Sequence, residues 1–533
     1  MRGRYIGIDL SITGQHRAAV MEANGTFIGK SFSFDRSFTG FQRLLERALP
    51  KDDPDCPLTF VLVPTSKTWI PLSCFLIAKG YKVFSVNPRK ASDLRKYYRK
   101  YVKSDSVDAE ILAKLPLIDP ENLYQVWLPD QIVGALKGYC KQRDKIMGSI
   151  SGRKARIEAH FTSANLKLME AFGQDKFTHV ARALLRNYVD PFKIKRLGLS
   201  KLTRFLQKHC HGQMDPELPR RIFEASVDTT NIYEQFKDRL PFDYQQVQDE
   251  INIDLDLMEH EEQKVAFLEK RISELYHQID PVEAMQSMSG IGPIVAANIW
   301  SIVGNVNRIP NGRAYACLCG YVPKKKQSSN RDLKGLPITK AAQGLLKKSY
   351  FMTAQTSRRY DVEDAAFYDR LMRRGLHHYQ AMSALARRKA VRSFAVMKRI
   401  QEARDGLRDW DTVAFQHRDL DGNPITKQQA RQIVLAKYPS KRMAKKMKER
   451  PHPQVSLSRQ SSNSSNMKPG GPLPLGDLLN DIFAVSARQG EKEITSGMVQ
   501  KTHMQLSKSI VDKSVKKSNG TGPKKPKKVL DST

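Results

Sequence analysis

No run of apolar residues in this chain approaches the roughly 20 that a membrane-crossing helix needs, which excludes a helical integral membrane protein. Met1-Arg2-Gly3-Arg4 leads straight into a strand pattern without the apolar core of a signal peptide, so a cytoplasmic protein is expected. Cysteine is scarce as well. The six cysteines, Cys56, Cys74, Cys140, Cys210, Cys317 and Cys319, lack zinc-type spacing and sit mostly in apolar surroundings, so free thiols are expected and not disulfides. His209-Cys210-His211 is a metal-like tract without a second ligand pair at suitable spacing. Acidic residues are also in short supply, 55 against 89 Lys and Arg. A net charge of +34 repels itself unless a polyanion is the partner, which makes nucleic acid the leading ligand class ahead of a ribosome-like or membrane-surface role.

What is present fits a multidomain globular chain. A hydrophobic content of 40% is ample for a core, and 533 residues imply two or three domains with appended tails. Tyr5-Ile6-Gly7-Ile8-Asp9-Leu10 is a short apolar run broken by a glycine, the pattern of a buried strand that delivers an acid to a sheet edge. A turn at Thr13-Gly14, a strand from Arg17 to Met21, the hairpin signal Asn24-Gly25 and a strand near Phe27 to Phe34 complete a meander. A helix near Thr39 to Ala48, a strand from Leu58 to Val63, a helix near Ile70 to Lys79 and a strand from Lys82 to Val86 follow. Meander strands succeeded by strands alternating with helices is the order of a ribonuclease-H-like fold.

Lys103 to Glu110 opens a further helix, and Asp105 and Asp108, three apart, share a face of it. With Asp9 they can surround one or two magnesium (or manganese) ions, because three close carboxylates repel unless a cation neutralises them. The plainer alternative is an aspartate that ends a strand and two that favour a helix N-terminus.

Two amphipathic stretches come next, Pro129 to Gly173 (Ile132, Leu136, Tyr139, Ile146, Ile150) and Asp243 to Ile279 (Ile253, Leu257, Leu268, Ile272). Flanking a basic helical insertion from Asp175 to Leu240, they read as a coiled-coil spacer and dimerising element, with a helical domain packed inside one chain as the alternative. In Met288 to Ala297, Gly290 and Gly292 allow a tight turn whose amides can meet a phosphate, as in helix-hairpin-helix DNA binders; a plain helix connection is the other reading. Lys324, Lys325, Lys326 and Arg331 supply a basic context. Beyond Asp405 come a turn at Asp419 to Asn423, a lysine-rich helix from Lys427 to Lys448 and a low-complexity run from Ser458 to Pro474, expected to be disordered. A short amphipathic helix from Leu475 to Ala487 follows, and the end, with Lys516, Lys517 and Lys524 to Lys528, suits polyanions. Pro523 to Val529 resembles a nuclear-import signal but reads, in a prokaryotic chain, as a nucleic-acid tail.

Gly7-Ile8-Asp9, Pro64-Thr65, Val86-Asn87-Pro88 and Lys103-Ser104-Asp105-Ser106-Val107-Asp108-Ala109 together resemble the RuvC-like domain of the DEDD insertion-sequence transposases of the IS110 family, relatives of the Piv-type DNA invertases and the bridge-RNA-guided recombinases. Tyr315 to Pro323, Ser328-Ser329-Asn330 and Pro337-Ile338-Thr339-Lys340 resemble the family's second region, a transposase C-domain with a helix-hairpin-helix and a serine-bearing loop. Phe367 to Leu371 with Arg374-Gly375 resembles its closing helical segment, and the likeness spans about residues 1 to 400. The resemblance implies a RuvC-like α/β domain (1–125), a helical coiled-coil spacer (126–280), a helical C-domain (281–400) and a basic tail (401–533). It also implies a magnesium-dependent DNA recombinase, homo-oligomeric as a dimer or tetramer and associated with the nucleoid. DNA is the expected partner, with a structured guide RNA where the member uses one.

By the same resemblance Asp9, Asp105 and Asp108 hold the metal, and Ser329, with Ser328 as alternative, attacks a DNA phosphate. Gly290, Gly292, Lys324, Lys325, Lys326, Arg331 and Lys340 contact nucleic acid. Two departures qualify this. The family's glutamate before the Pro-Thr pair is Val63 here, which implies either an impaired enzyme acting as a DNA- or RNA-binding protein or compensation by Glu110. Asn330-Arg331 replace the glycines that normally let the serine loop approach DNA closely.

Overall fold

The computed structural model describes residues 3–98, 104–212, 214–324, 327–328, 331–332, 336–339 and 342–439. Contacts divide the chain into two units, Met1–Tyr139 and Cys140–Thr533.

The first unit is a mixed six-stranded sheet with helices on both faces, its strands in the order β3-β2-β1-β4-β5-β6. β1 (Arg4–Asp9), β2 (His16–Glu22) and β3 (Phe32–Phe34) form the antiparallel meander. β4 (Leu58–Leu62) lies parallel to β1 and β5 (Lys82–Ser85) parallel to β4, while β6 (Tyr124–Gln125) closes the edge antiparallel to β5. The third strand is shorter than its sequence suggested. Phe27 makes a single bridge to Met21, and Gly29, at φ 67°, turns the chain out of the extended region before pairing resumes at Phe32.

The alternation of side chains along β1 decides what each sheet face does. Ile6, Ile8 and Leu10 point into one core with Phe60, Leu44 and Leu72, under α1 (Phe38–Ala48) and α2 (Trp69–Ala78). The other face carries Val61 beneath Leu112 and Leu115 of α4 (Asp105–Ile118), with Ala91 and Leu94 of α3 (Pro88–Tyr98) at the margin. Gly7 makes this second layer possible. A Cβ there would stand 2.0 Å from the Ala109 carbonyl oxygen and 2.3 Å from the Ala113 nitrogen, so only glycine lets α4 lie against the strand.

α5 (Gln131–Ala164) begins in the first unit and continues into the second, where α6 (Tyr244–His277) runs antiparallel to it. Arg143 binds Glu269, Arg153 binds Glu261 and Asp254, and Arg156 also binds Asp254, all within one chain. Ile150, Ile157 and Phe161 share a core with Ile251, Leu255 and Met258, and the short helices of the insertion add Leu184, Leu185, Leu202 and Leu206 to it. The paired charges that suggested a partner chain are therefore met internally. Leu268 and Ile272 are buried, whereas Ile253 and Leu257 are 59% and 42% exposed.

The helices α7 (Pro293–Val303), α8 (Gly312–Leu318), α9 (Gly344–Ser357), α10 (Val362–Arg373) and α11 (His378–Arg404) form the rest of the second unit. Their core holds Trp300, Tyr315 and Tyr350 fully buried, with Tyr350 hydroxyl-bonded to Tyr315 at 2.7 Å and to Ser393 at 2.5 Å. Residues 405–439, assigned to a tail from the sequence, pack onto this core. α12 (Lys427–Lys437) seats Ala430 and Val434 against Val362 and Ala365. Among the described residues no helix is long and apolar enough to cross a membrane. The second half of the Lys427–Lys448 helix, the Ser458–Pro474 run, the Leu475–Ala487 helix and the basic end lie outside the described residues.

Candidate active site

Asp9 ends β1 one step beyond the register pair Ile8↔Leu62, so Val63 stands level with it on the next strand. Both line one small pocket with Asp108, Arg95, Ile111 and Leu112. Asp108 reaches the pocket from the first turn of α4, which Ser104 caps by accepting the Val107 amide at 3.3 Å. Asp105 lies in the same turn but is exposed and does not line the pocket, nor does Glu110.

The acids feel one another. Burial, then the charges of Asp108 and Asp105, push the Asp9 carboxyl up to about 6, against the Leu10 backbone amide and Arg95, which lower it. Arg95 is the residue that sequence reasoning missed. Its Nη1 donates to both Asp108 carboxylate oxygens, at 2.7 and 3.0 Å, so a guanidinium stands among the acids. The signal was faint. Ala91 and Leu94 are the only clearly apolar points on α3, whose polar sequence hides a helix opened by Pro88.

The donor chemistry of Asp9 and Asp108, oxygen ligands whose mutual repulsion a cation relieves, fits one hard divalent ion. It does not make the closed set of a two-cation site: Val63 brings no oxygen, Arg95 already engages Asp108, and among the described residues no three His, Cys, Asp or Glu side chains gather as a metal site.

In the second unit a backbone ribbon carries the serine region. Lys324 donates to Pro337 and Thr339 to Val322 at its base, at 3.0 and 2.9 Å, and Gln327–Ser328 pairs with Arg331–Asp332 in the register Ser328↔Arg331. The base is anchored by buried Tyr321, whose carbonyl accepts from Arg387. Lys324 is exposed. Ser329, Asn330, Lys325, Lys326 and Lys340 lie outside the described residues, and only the backbone of Ser328 and Arg331 is described.

The two glycines of the proposed hairpin have different work. Gly290, at φ 86°, is a packing residue, since a Cβ would meet the Thr353 carbonyl oxygen at 2.4 Å. Gly292 is exposed at the N-terminus of α7 with open space around it. A cleft beside Pro293 is lined by Glu274, Asp280 and Glu283, an acidic neighbourhood for a phosphate. No disulfide forms: all six cysteines are free, with Cys56, Cys140 and Cys319 buried.

A sheet edge bearing paired acids is followed by a helical unit with a serine-bearing ribbon, and the comparisons with known proteins place transposases beside both regions. A transposase model of the DEDD IS110 type matches residues 6–165, and the model described as "Transposase IS116/IS110/IS902 family" matches residues 282–369. The chain thus resembles the IS110 family in two separate regions, which follow in the same order as the two models. It is 23% identical over 414 residues to the uncharacterized 43.6 kDa protein of insertion element IS110 of Streptomyces coelicolor, covering 74% of this chain and 94% of the relative. It is 21% identical over 395 residues to the uncharacterized 44.8 kDa protein of insertion element IS116 of Streptomyces clavuligerus, with the same coverage. With the uncharacterized 42 kDa protein of insertion element IS900 of Mycobacterium paratuberculosis, the identity is 24% over 327 residues, 60% of this chain and 77% of that one. Likeness to this transposase family implies DNA binding and a divalent metal.

Proposed function

We propose that this protein is the transposase of an insertion element, cutting and joining DNA with a magnesium or manganese ion at Asp9 and Asp108 and with Ser329 as nucleophile. The N-terminal unit is read as ribonuclease-H-like, from its sheet order, and the region around Met288 to Ala297 as a helix-hairpin-helix. The observation that carries the reading is the shared pocket of Asp9 and Asp108, where the Asp9 carboxyl is held up to about 6 by burial and by its acidic neighbours. Bound there, a divalent ion supplies Lewis-acid activation and neutralises phosphate charge. The chain's own part is to hold it: Asp9 from the strand end, Asp108 from the helix turn, Asp105 at the rim. Ser329 Oγ bonds to phosphorus, the P–O bond to one sugar oxygen breaks, and that oxygen takes the proton. Lys324, Lys325, Lys326, Arg331 and Lys340 steady the DNA backbone. Some relatives use a structured RNA guide encoded beside the element, and the proposal extends to that partner.

The test is an adduct assay on element-end DNA, read by denaturing gel, with calorimetry of metal uptake. Ser329→Ala is expected to abolish the covalent protein–DNA species and Asp9→Asn to abolish metal uptake. An adduct that persists in Ser329→Ala moves the role to Ser328, and equal metal uptake by Asp9→Asn places the ion elsewhere.

A second reading, a weakened enzyme that acts by binding DNA or RNA, is favoured by Val63 in the acid position and by Arg95 on Asp108. Wild-type protein that binds element ends but forms no adduct supports it.

A further inference from the structure

The second unit contains a groove of about 660 Å³ between α10, α11 and the 405–439 segment, lying mostly outside the residues matched by either family model. One wall is the face of α10 that presents Phe367 and Arg370, three apart, with Arg374 at the C-cap just past the end of the helix. Arg388 of α11 forms the floor, and the opposite wall is the Asp419 turn with Tyr438.

The charges on these walls are not equivalent. Glu363 is engaged by Arg388 and Arg392, and Asp369 by Arg373 at 2.8 Å. Asp419 spends its carboxylate on its own turn, accepting from the amides of Asp421 and Asn423 at 2.9 and 2.8 Å and from the Asn423 side chain. Among the described residues, Arg370 and Arg374 have no carboxylate partner, and both are exposed. Arg370 and Arg388 stack on the Phe367 ring, at 5.6 and 5.1 Å from its centroid, which holds each of these two guanidinium planes in place.

The groove is built and not incidental. Beneath it Lys389 and Asp364, both fully buried, pair at 2.9 Å, Arg392 joins them, and His417 of the appended segment stands 3.3 Å from Asp361. His417 also contacts the Ser287 carbonyl at 2.9 Å and Phe415 donates to the Ser287 hydroxyl at 2.7 Å, so the far wall is tied to the core. Two unpaired guanidiniums on one side of a rigid groove, one of them held by an aromatic ring, are a device for gripping phosphate oxygens, for which the forked guanidinium is matched.

We propose that this groove binds the phosphodiester backbone of a nucleic-acid strand, through Arg370 and Arg374, at a site separate from the acid pocket of the N-terminal unit. The inference rests on the reading of the protein as one that acts on nucleic acid. The free donors on the groove's walls are guanidiniums, which fit phosphate oxygens, so the contact is to the backbone, which positions a strand and carries no sequence information.

The test is arginine modification by phenylglyoxal on the full chain, mapped by peptide mass spectrometry, with and without saturating oligonucleotide. Single-stranded DNA, duplex DNA and single-stranded RNA form separate arms, and binding in each is checked by fluorescence anisotropy. Protection of Arg370 and Arg374 of at least about fivefold, with exposed Arg204 of the insertion as reference, is expected in the arm whose strand occupies the groove; the arm that protects identifies DNA or RNA as the source of the phosphate. Arg370→Gln with Arg374→Gln is expected to lower the log-log salt slope by about two, one for each phosphate no longer neutralised. Oligonucleotide that binds while both arginines stay fully reactive overturns the groove and leaves the proposed function standing. Failure to bind any of the three overturns both.

Discussion

Val63→Glu probes the acid pocket most directly, because it puts back a carboxylate where the chain carries a hydrocarbon. Two terms set the cost. Val63 is partly buried against Val61, Leu112 and Leu115, and giving up that packing costs about 1 kcal/mol. A new negative charge beside Asp9 and Asp108 adds repulsion; at an effective dielectric near 20 and about 6 Å this is ~3 kcal/mol for each pair at most, and with Arg95 offsetting the Asp108 charge and the pocket open to water it falls to about 1–2 in total. The variant is therefore expected to be less stable by about 2–3 kcal/mol at pH 8 in chelator, a fall of roughly 6–12 °C in the melting of a unit the size of Met1–Tyr139. Because Asp9 takes up a proton near pH 6, the deficit should narrow below that pH. Magnesium should narrow the gap by about half. A tenfold gain in affinity from the fourth carboxylate is worth about 1.4 kcal/mol, and saturation at a hundredfold over Kd stabilises by about 2.7. The assay is thermal unfolding of both proteins across a magnesium titration, with calorimetry for the affinity. An identical metal-dependent rise in both would refute the placement of Val63 beside the acids.

Three further expectations follow from particular residues. Asp9 has its folded pKa raised from 3.8 to about 6, so the folded state holds that proton more tightly than the unfolded chain and stability falls as pH rises through this window; without metal, Asp9→Asn should match wild type below about pH 4 and exceed it by about 1 kcal/mol above pH 7, after allowing for partial exposure, and equal melting curves at pH 8 would contradict the pocket's electrostatics. Gly290→Ala should cost about 3 kcal/mol or more through its left-handed backbone and the Thr353 clash, while Gly292→Ala, in open space, should change stability by less than about 1 kcal/mol and be read instead in DNA affinity. Replacing Lys324, Lys325 and Lys326 by alanine should reduce the salt slope of nucleic-acid binding by about one unit for each phosphate that a lysine neutralises, and an unchanged slope would mean they face solvent.

Much of the sheet was legible because period-two patterns and hairpin signals are local: Tyr5 to Asp9 and the run from Leu58 form strands, and Asn24-Gly25 a turn, where the pattern puts them. The reason for Gly7 was not legible, since it lies in a helix a hundred residues away. α3 was missed because nine of its eleven residues give little apolar periodicity, and with it went Arg95, whose importance exists only through Asp108. The long amphipathic helices were readable, but not where their charges end; a stripe of Arg and Glu looks the same from sequence whether the partner is another chain or the same one. The packing of 405–439 was hidden for a related reason: the buried points of α12 are only Ala430 and Val434, too few to distinguish a docked helix from a lysine-rich tail.

That docked segment has a consequence for how the protein comes off the ribosome. Residues up to Gln125 complete the N-terminal sheet, which therefore has every strand it needs before the second unit is made. The second unit has no such early stopping point. Until Phe415, His417 and α12 emerge, Asp361 lacks its imidazole, the Val362 and Ala365 face stands open to water, and the Ser287 corner is untied. A chain cut short by a premature stop near residue 410 thus carries a finished acid pocket on an unfinished helical body, with an uncovered apolar face beside a buried ion cluster that has lost one member. Docking of α12 is thus what completes the second unit, and a product that stops before it leaves that unit's apolar face uncovered.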